Sequence, residues 1–256
     1  MENKDYITIS VSILAFLLSL IATTLALRNK KHDDERNLRS LLNDSISKLR
    51  TIRIEQAKYR VENEGKKNID FVAGLFNYQI NSLARLAVYI SEQIPRLVTD
   101  IEYATIADAF GWTGDQQKAR QYWEVSISNS RDKYYEIINR RDYANVLFTF
   151  GSVGEGRDQY EKALKLSPIS DDTSKNLTGY TYRMWGVNER AAGNERTAME
   201  YFDKAAEAYG TIGVAGLRAF AMADLGRVRI GHLDEVPQLK PDDLNPIPRT
   251  STPEEP

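Results

Sequence analysis

Apolar side chains recur at spacings of three and four from residue 34 to residue 230, and no run alternates apolar with polar between turn residues. The pattern predicts an all-α chain without strands. One segment departs from this amphipathic rhythm. Ile7 to Leu27 (ITISVSILAFLLSLIATTLAL) runs 21 positions without a charge. As a helix it is ~32 Å long, the thickness of a bilayer's hydrocarbon core. It predicts a transmembrane helix over residues 6–27, in contact with lipid, behind a stub of residues 1–5. A cleaved signal is the weaker reading, because Lys4 is outnumbered by Glu2 and Asp5 and the cleavage-like Thr24-Leu25-Ala26 lies inside the run. Lys4 is the one basic residue before the span, whereas Arg28, Lys30, Lys31, Arg36 and Arg39 follow it. That asymmetry predicts a single-pass membrane protein with a cytoplasmic C-terminal domain.

Residues 28–67 form the next segment, a basic juxtamembrane helix. Leu38, Leu42, Ser45, Leu49, Ile52, Gln56 and Tyr59 repeat at 4, 3, 4, 3, 4, 3, which is a heptad seam. Two readings stand for it: a coiled-coil-like contact between chains, or a face that packs on the helical domain. A stripe of small residues in the span (Thr8, Ser12, Ala15, Ser19, Ala22, Thr23, Ala26) also suits close helix approach, so a homodimer is an expectation of both segments. Residues 62–68 read as a turn. Phe71, Leu75, Leu83, Leu86 and Ile90 then predict a helix that stops before Pro95.

Three stretches of the 68–231 domain share one pattern: residues 103–127, 141–168 and 181–210. In each, a helix ends at a glycine (Gly114, Gly151, Gly193) and a second helix carries small-x-x-x-aromatic-x-x-small. The triplets are Ala119, Trp123, Ser126; Gly156, Tyr160, Ala163; and Ala198, Phe202, Ala205. The spacing puts each triplet on one helix face as repeat core. Together with Gly-Asp at 114–115, Tyr-Glu-Lys-Ala-Leu at 160–164 and Pro168, this resembles the tetratricopeptide repeat family. The register between units is 37 and then 42 residues, longer than that family's 34, with an insertion at Ser170 to Asn176. The resemblance implies an α-solenoid over residues 96–210, capped by Thr211 to Ile230, that binds a protein or peptide. In the family's carboxylate clamp, the corresponding inner-helix positions here hold Ala104 and Asp108, then Asn145, then Arg183 and Val187. Asp108 opposes such a clamp. Arg141, Asn145 and Arg183 remain as a candidate peptide-binding stripe.

Charge is unevenly spread: residues 28–67 carry a net +5 and residues 68–256 a net −6. A basic segment beside a span suits anionic lipid heads, while an acidic main domain does not suit nucleic acid. The chain has no cysteine, which excludes disulfides, thiol catalysis and thiolate metal sites, and its two histidines, His32 and His232, lie 200 residues apart. No metal site and no cofactor is expected. GSVGEG at 151–156 lacks the Gly-Lys-Ser/Thr ending of a phosphate loop and reads as a turn between helices. Asp171 and Asp172 read as loop residues before a helix starting near Ser174. No nucleophile, base and orienting group converge, so no catalytic residue is named. Residues 232–256 are predicted to be a disordered tail, since residues 237–256 hold six of the eight prolines. The functional expectation is a non-catalytic, membrane-anchored scaffold or assembly factor for an unidentified protein partner. An envelope or lumenal assembly factor and an enzyme of unrecognised type are the alternatives.

Overall fold

The computed structural model describes residues 3–64, 69–167 and 170–231, with side chains from Lys30 onward. The side chains of the apolar run and the tail at 232–256 lie outside the described residues. Among the described residues no helix is long and apolar enough to cross a membrane. Every regular element among them is helical: α1 (Asn3–Glu62), α2 (Ile69–Gln93), a 3-10 turn (Pro95–Leu97), α3 (Asp100–Trp112), α4 (Gln116–Ser128), α5 (Lys133–Thr149), α6 (Val153–Leu166), α7 (Asp172–Ala191), α8 (Glu195–Gly210) and α9 (Ala215–Arg229). They divide into two compact units, Met1–Ser126 and Ile127–Pro256.

In the first unit, α1 and α2 pair with each other and both contact α3. The heptad seam of α1 is the buried side of this arrangement. Leu42, Ser45, Leu49 and Gln56 are buried, and Leu38, Ile52 and Tyr59 are half-buried. Gln56 donates to Asn77 (2.9 Å) and to the carbonyl of Ala73 (3.3 Å) on α2, and Tyr59 packs on Phe76. The polar seam positions are therefore satisfied inside the chain. Of the two readings of the seam, the structure has the second: a packing face on the helical domain. Charge reinforces the contact, because Arg39 reaches Glu102 of α3 at 2.6 Å and Arg53 pairs with Asp108. Glu102 also closes the N-terminus of α3 in a capping box with Thr99. Burial alone pushes the Glu102 carboxyl up, but Arg39 and Thr99 hold it below the usual carboxylate range.

Three helix pairs, α3–α4, α5–α6 and α7–α8, turn in the same way. Gly114, Gly151 and Gly193 sit at φ +84°, +77° and +83°, the left-handed region where a side chain is strained. In each turn the glycine N–H donates three residues back, and the next N–H donates five back: Asp115 to Phe110, Ser152 to Leu147, Asn194 to Glu189. Each pair carries buried small residues twelve apart: Ala107 and Ala119, Ala144 and Gly156, Gly186 and Ala198. In the second pair the helices meet there, since a Cβ on Gly156 would lie 3.2 Å from the Ala144 carbonyl. A Cβ on Gly186 would lie 3.1 Å from the Ala198 carbonyl and 2.5 Å from the Phe202 ring, so the backbones approach as closely as glycine permits. The predicted core positions Ala119, Trp123, Tyr160, Ala163, Ala198, Phe202 and Ala205 are all buried. In the second unit they belong to three clusters, one of which continues through Tyr209 and Ile212 into Ala221, Leu225 and Val228 of α9.

Asp171 lies outside the helix, as expected, but α7 starts at Asp172 and not near Ser174. Asp171 is the N-cap of α7, accepting from the Ser174 N–H at 2.7 Å, and Asp172 is the first helical residue. The Asp172 carboxylate accepts from the N–H groups of Gly213 (2.9 Å) and Val214 (2.8 Å), tying the start of α9 to the start of α7. With Asp171 as its capping side chain, the helix starts two residues upstream of the expected position.

Candidate functional site

Helices α5, α7 and α9 of the second unit lie side by side: α7 contacts both of the others, while α6 and α8 back them. On this layer the structure brings two of the three candidate residues together around a residue the sequence reading passed over. The Arg141 guanidinium lies 4.7 Å and that of Arg183 5.4 Å from the centre of the Tyr180 ring. Two cations on one π system hold the ring by its negative quadrupole. Tyr180 remains 36% exposed, so it is part of the surface and not of the core. Asn145 follows Arg141 by one helical turn on α5 and is half-buried.

The charges are nearly balanced. Arg141 bonds Asp142 through Nε at 2.9 Å. Asp224 of α9 sits between Arg183, whose Nε is 2.7 Å away without its N–H being aimed at the carboxylate, and Arg227 at 3.4 Å. Three guanidiniums against two carboxylates leave one positive charge in excess at the stripe. Beneath it, Tyr209 is buried, and its ring occupies the space where a Cβ of Gly179 would stand. Burial pushes the Tyr209 hydroxyl well above the usual phenol range, against the pull of Arg183. It therefore stays a neutral hydroxyl beneath the stripe. The helical period offered one signal for these positions, since Tyr180 precedes Arg183 by three residues. Nothing in the local sequence pointed to Asp224 or Tyr209.

A second polar system fixes the layer behind the stripe. Glu189 of α7 is fully buried and takes four donors: Arg157 Nε and Nη2 at 2.7 Å each, Asn194 Nδ2 at 2.8 Å and Trp185 Nε1 at 3.0 Å. Burial pushes this carboxyl up, but those donors hold it below the usual carboxylate range. Trp185 is in turn stacked between Tyr160 (5.2 Å) and Tyr201 (3.9 Å), and Asn188 donates to the Tyr160 hydroxyl at 2.6 Å. The backbone that carries Tyr180 and Arg183 is thus pinned from α6 and α8.

In the first unit, a cleft of about 640 Å³ is lined by Arg50, Arg53, Ile54, Ala57, Arg60 and Trp112. Asp108, expected to repel a carboxylate, is neutralised by Arg53 of this lining, whose guanidinium also lies 4.9 Å from the Trp112 ring. Ala104 is half-buried beside it. Among the described residues no group of three His, Asp or Glu side chains is placed to hold a metal ion. The chain matches no protein-family model, no curated protein and no solved structure.

Proposed function

We propose that this protein is a non-catalytic, membrane-anchored interaction module of tetratricopeptide-like build, which holds a segment of a protein partner against the α5–α7–α9 layer. The observation that carries the reading is Tyr180 held between Arg141 and Arg183, with Asn145 one turn along the same face. A half-exposed aromatic ring with an excess guanidinium charge and a free amide suits an extended peptide that presents a carboxylate and a flat or apolar side chain. The three glycine-closed helix pairs, each with buried small residues twelve apart, support the repeat reading. The uncharged run at 7–27 and the five basic residues after it support a single span with the domain on the cytoplasmic side.

Site-specific photocrosslinking tests the reading. A photoreactive side chain at Asn145 in the full chain, expressed in its own cells, should give a discrete protein adduct. The same group at exposed Lys162 on α6 should not. The adduct should disappear with Arg141→Gln or Tyr180→Ala. Equal labelling from both positions, or none from Asn145, would remove the inner layer as the binding surface.

A further inference from the structure

We infer that the outer face of α2 is the contact surface for a second copy of this chain. Phe71, Leu75, Tyr78, Leu86 and Tyr89 are 71%, 50%, 75%, 46% and 62% exposed, although helix spacing places them on one face. Only Ser82 interrupts the stripe. The opposite face, with Ala73, Ile80, Ala84, Ala87 and Ile90, is the buried one. An aromatic side chain offers roughly 150–250 Å², so the five exposed parts sum to on the order of 500–600 Å². That is at the top of what a monomer ordinarily leaves bare. Doubled across a symmetric contact it is about 1,000–1,200 Å², the lower edge of a specific interface.

The order of side chains argues for self-pairing. Read from either end, the stripe runs aromatic and then leucine, with Tyr78 and the small Ser82 as its central pair. A two-fold axis near Ile80 with antiparallel helices sets Phe71 on Tyr89 of the second copy, Leu75 on Leu86, and the large Tyr78 on the small Ser82. Such a patch is self-complementary, as an isologous dimer requires. Tyrosine and phenylalanine are also the residues that interface cores favour. A lipid surface is the poorer occupant. The charges of α2 are Asp70, Arg85 and Glu92, and Arg85 is engaged by Asn81 at 2.6 Å. A helix of net charge −1 lacks the basic rim that draws an amphipathic face onto anionic membranes. The surface is distinct from the α1 seam, whose side chains are consumed inside the chain.

The absence of native cysteine makes the test clean. Full chains carrying Phe71→Cys or Tyr89→Cys, purified in mild detergent, are treated with a short bis-maleimide separately and as a mixture. The mixture should give a covalent dimer and each variant alone should give little, because like positions lie ~27 Å apart along antiparallel helices. Light scattering should report a dimer for the parent, and Tyr78→Glu should weaken it at least tenfold with helicity unchanged, since that side chain is exposed. A parent of monomeric mass, or crosslinks of residue 71 to itself, would overturn the inference. So would quenching of a Tyr78→Trp reporter by brominated lipid, or adducts formed only with a different protein.

Discussion

Arg157 donates two parallel hydrogen bonds, 2.7 Å each, to the carboxylate of Glu189, a side chain with no exposed surface. The pair joins α6 to α7, and through Asn194 and Trp185 it also holds the α7–α8 turn and the aromatic stack. Removing the arginine leaves a buried charge with two neutral donors. Arg157 itself is 41% exposed, which reduces the loss relative to a wholly buried pair. Arg157→Ala should therefore cost about 2–3 kcal/mol. Urea titration read by far-UV circular dichroism checks it, and a midpoint equal to the parent's would show that the pair is not coupled to folding.

The same carboxylate sets an acid limit. Glu189 and Glu102 both have folded pKa values held below the ordinary glutamate value. A group depressed on folding adds stability above its unfolded pKa, ~4.3 for glutamate, and loses it as pH falls through the folded value. Stability should be level above about pH 5 and decline below about pH 4. Glu189→Gln should be less stable at neutral pH and show a shallower acid decline. A parallel decline in parent and variant would assign the acid sensitivity to other groups.

What the sequence made legible was local. Glycine at each helix end and the small-aromatic-small triplets located the three helix pairs, because turn chemistry and side-chain size act over a few residues. The small positions on the first helices of those pairs escaped notice, although Ala107, Ala144 and Gly186 stand twelve residues before Ala119, Gly156 and Ala198. Their signal is a pairing of positions, visible only once the turn length is known. The seam of α1 was found by its period, but a period cannot say which chain supplies the opposite face. Arg141 and Arg183 were placed on one stripe, while Tyr180 of α7 between them was missed. Asp224, between Arg183 and Arg227, was missed because α9 carries no triplet that sets its register.

The aromatics of the triplets should dominate core stability. Phe202 is fully buried among Ala198, Ala205, Tyr209 and Leu225, and Trp123 is 3% exposed. Truncating either to alanine removes contacts and leaves a cavity, at ~3–5 kcal/mol. Thermal melts of Trp123→Ala and Phe202→Ala test this, each in the full chain. Unchanged midpoints in both would contradict the registration of the repeats.

Glycines within helices separate packing from propensity. Gly186 in α7 and Gly226 in α9 are both helical, so alanine should favour the helix at either site by about 0.5–1 kcal/mol. Their surroundings differ. A Cβ on Gly226 meets nothing within 4 Å, and the residue is exposed. A Cβ on Gly186 would stand 2.5 Å from the Phe202 ring and 3.1 Å from the Ala198 carbonyl oxygen. The ring is fully buried and the carbonyl is helix backbone, so neither can yield without moving α8 away from α7. Overpacking of this kind costs ~1–3 kcal/mol, more than the helix gain. Gly226→Ala should raise the melting midpoint and Gly186→Ala should lower it. A rise in both would mean that α7 and α8 can separate without loss, and the close crossing that defines the third helix pair would not be holding the fold.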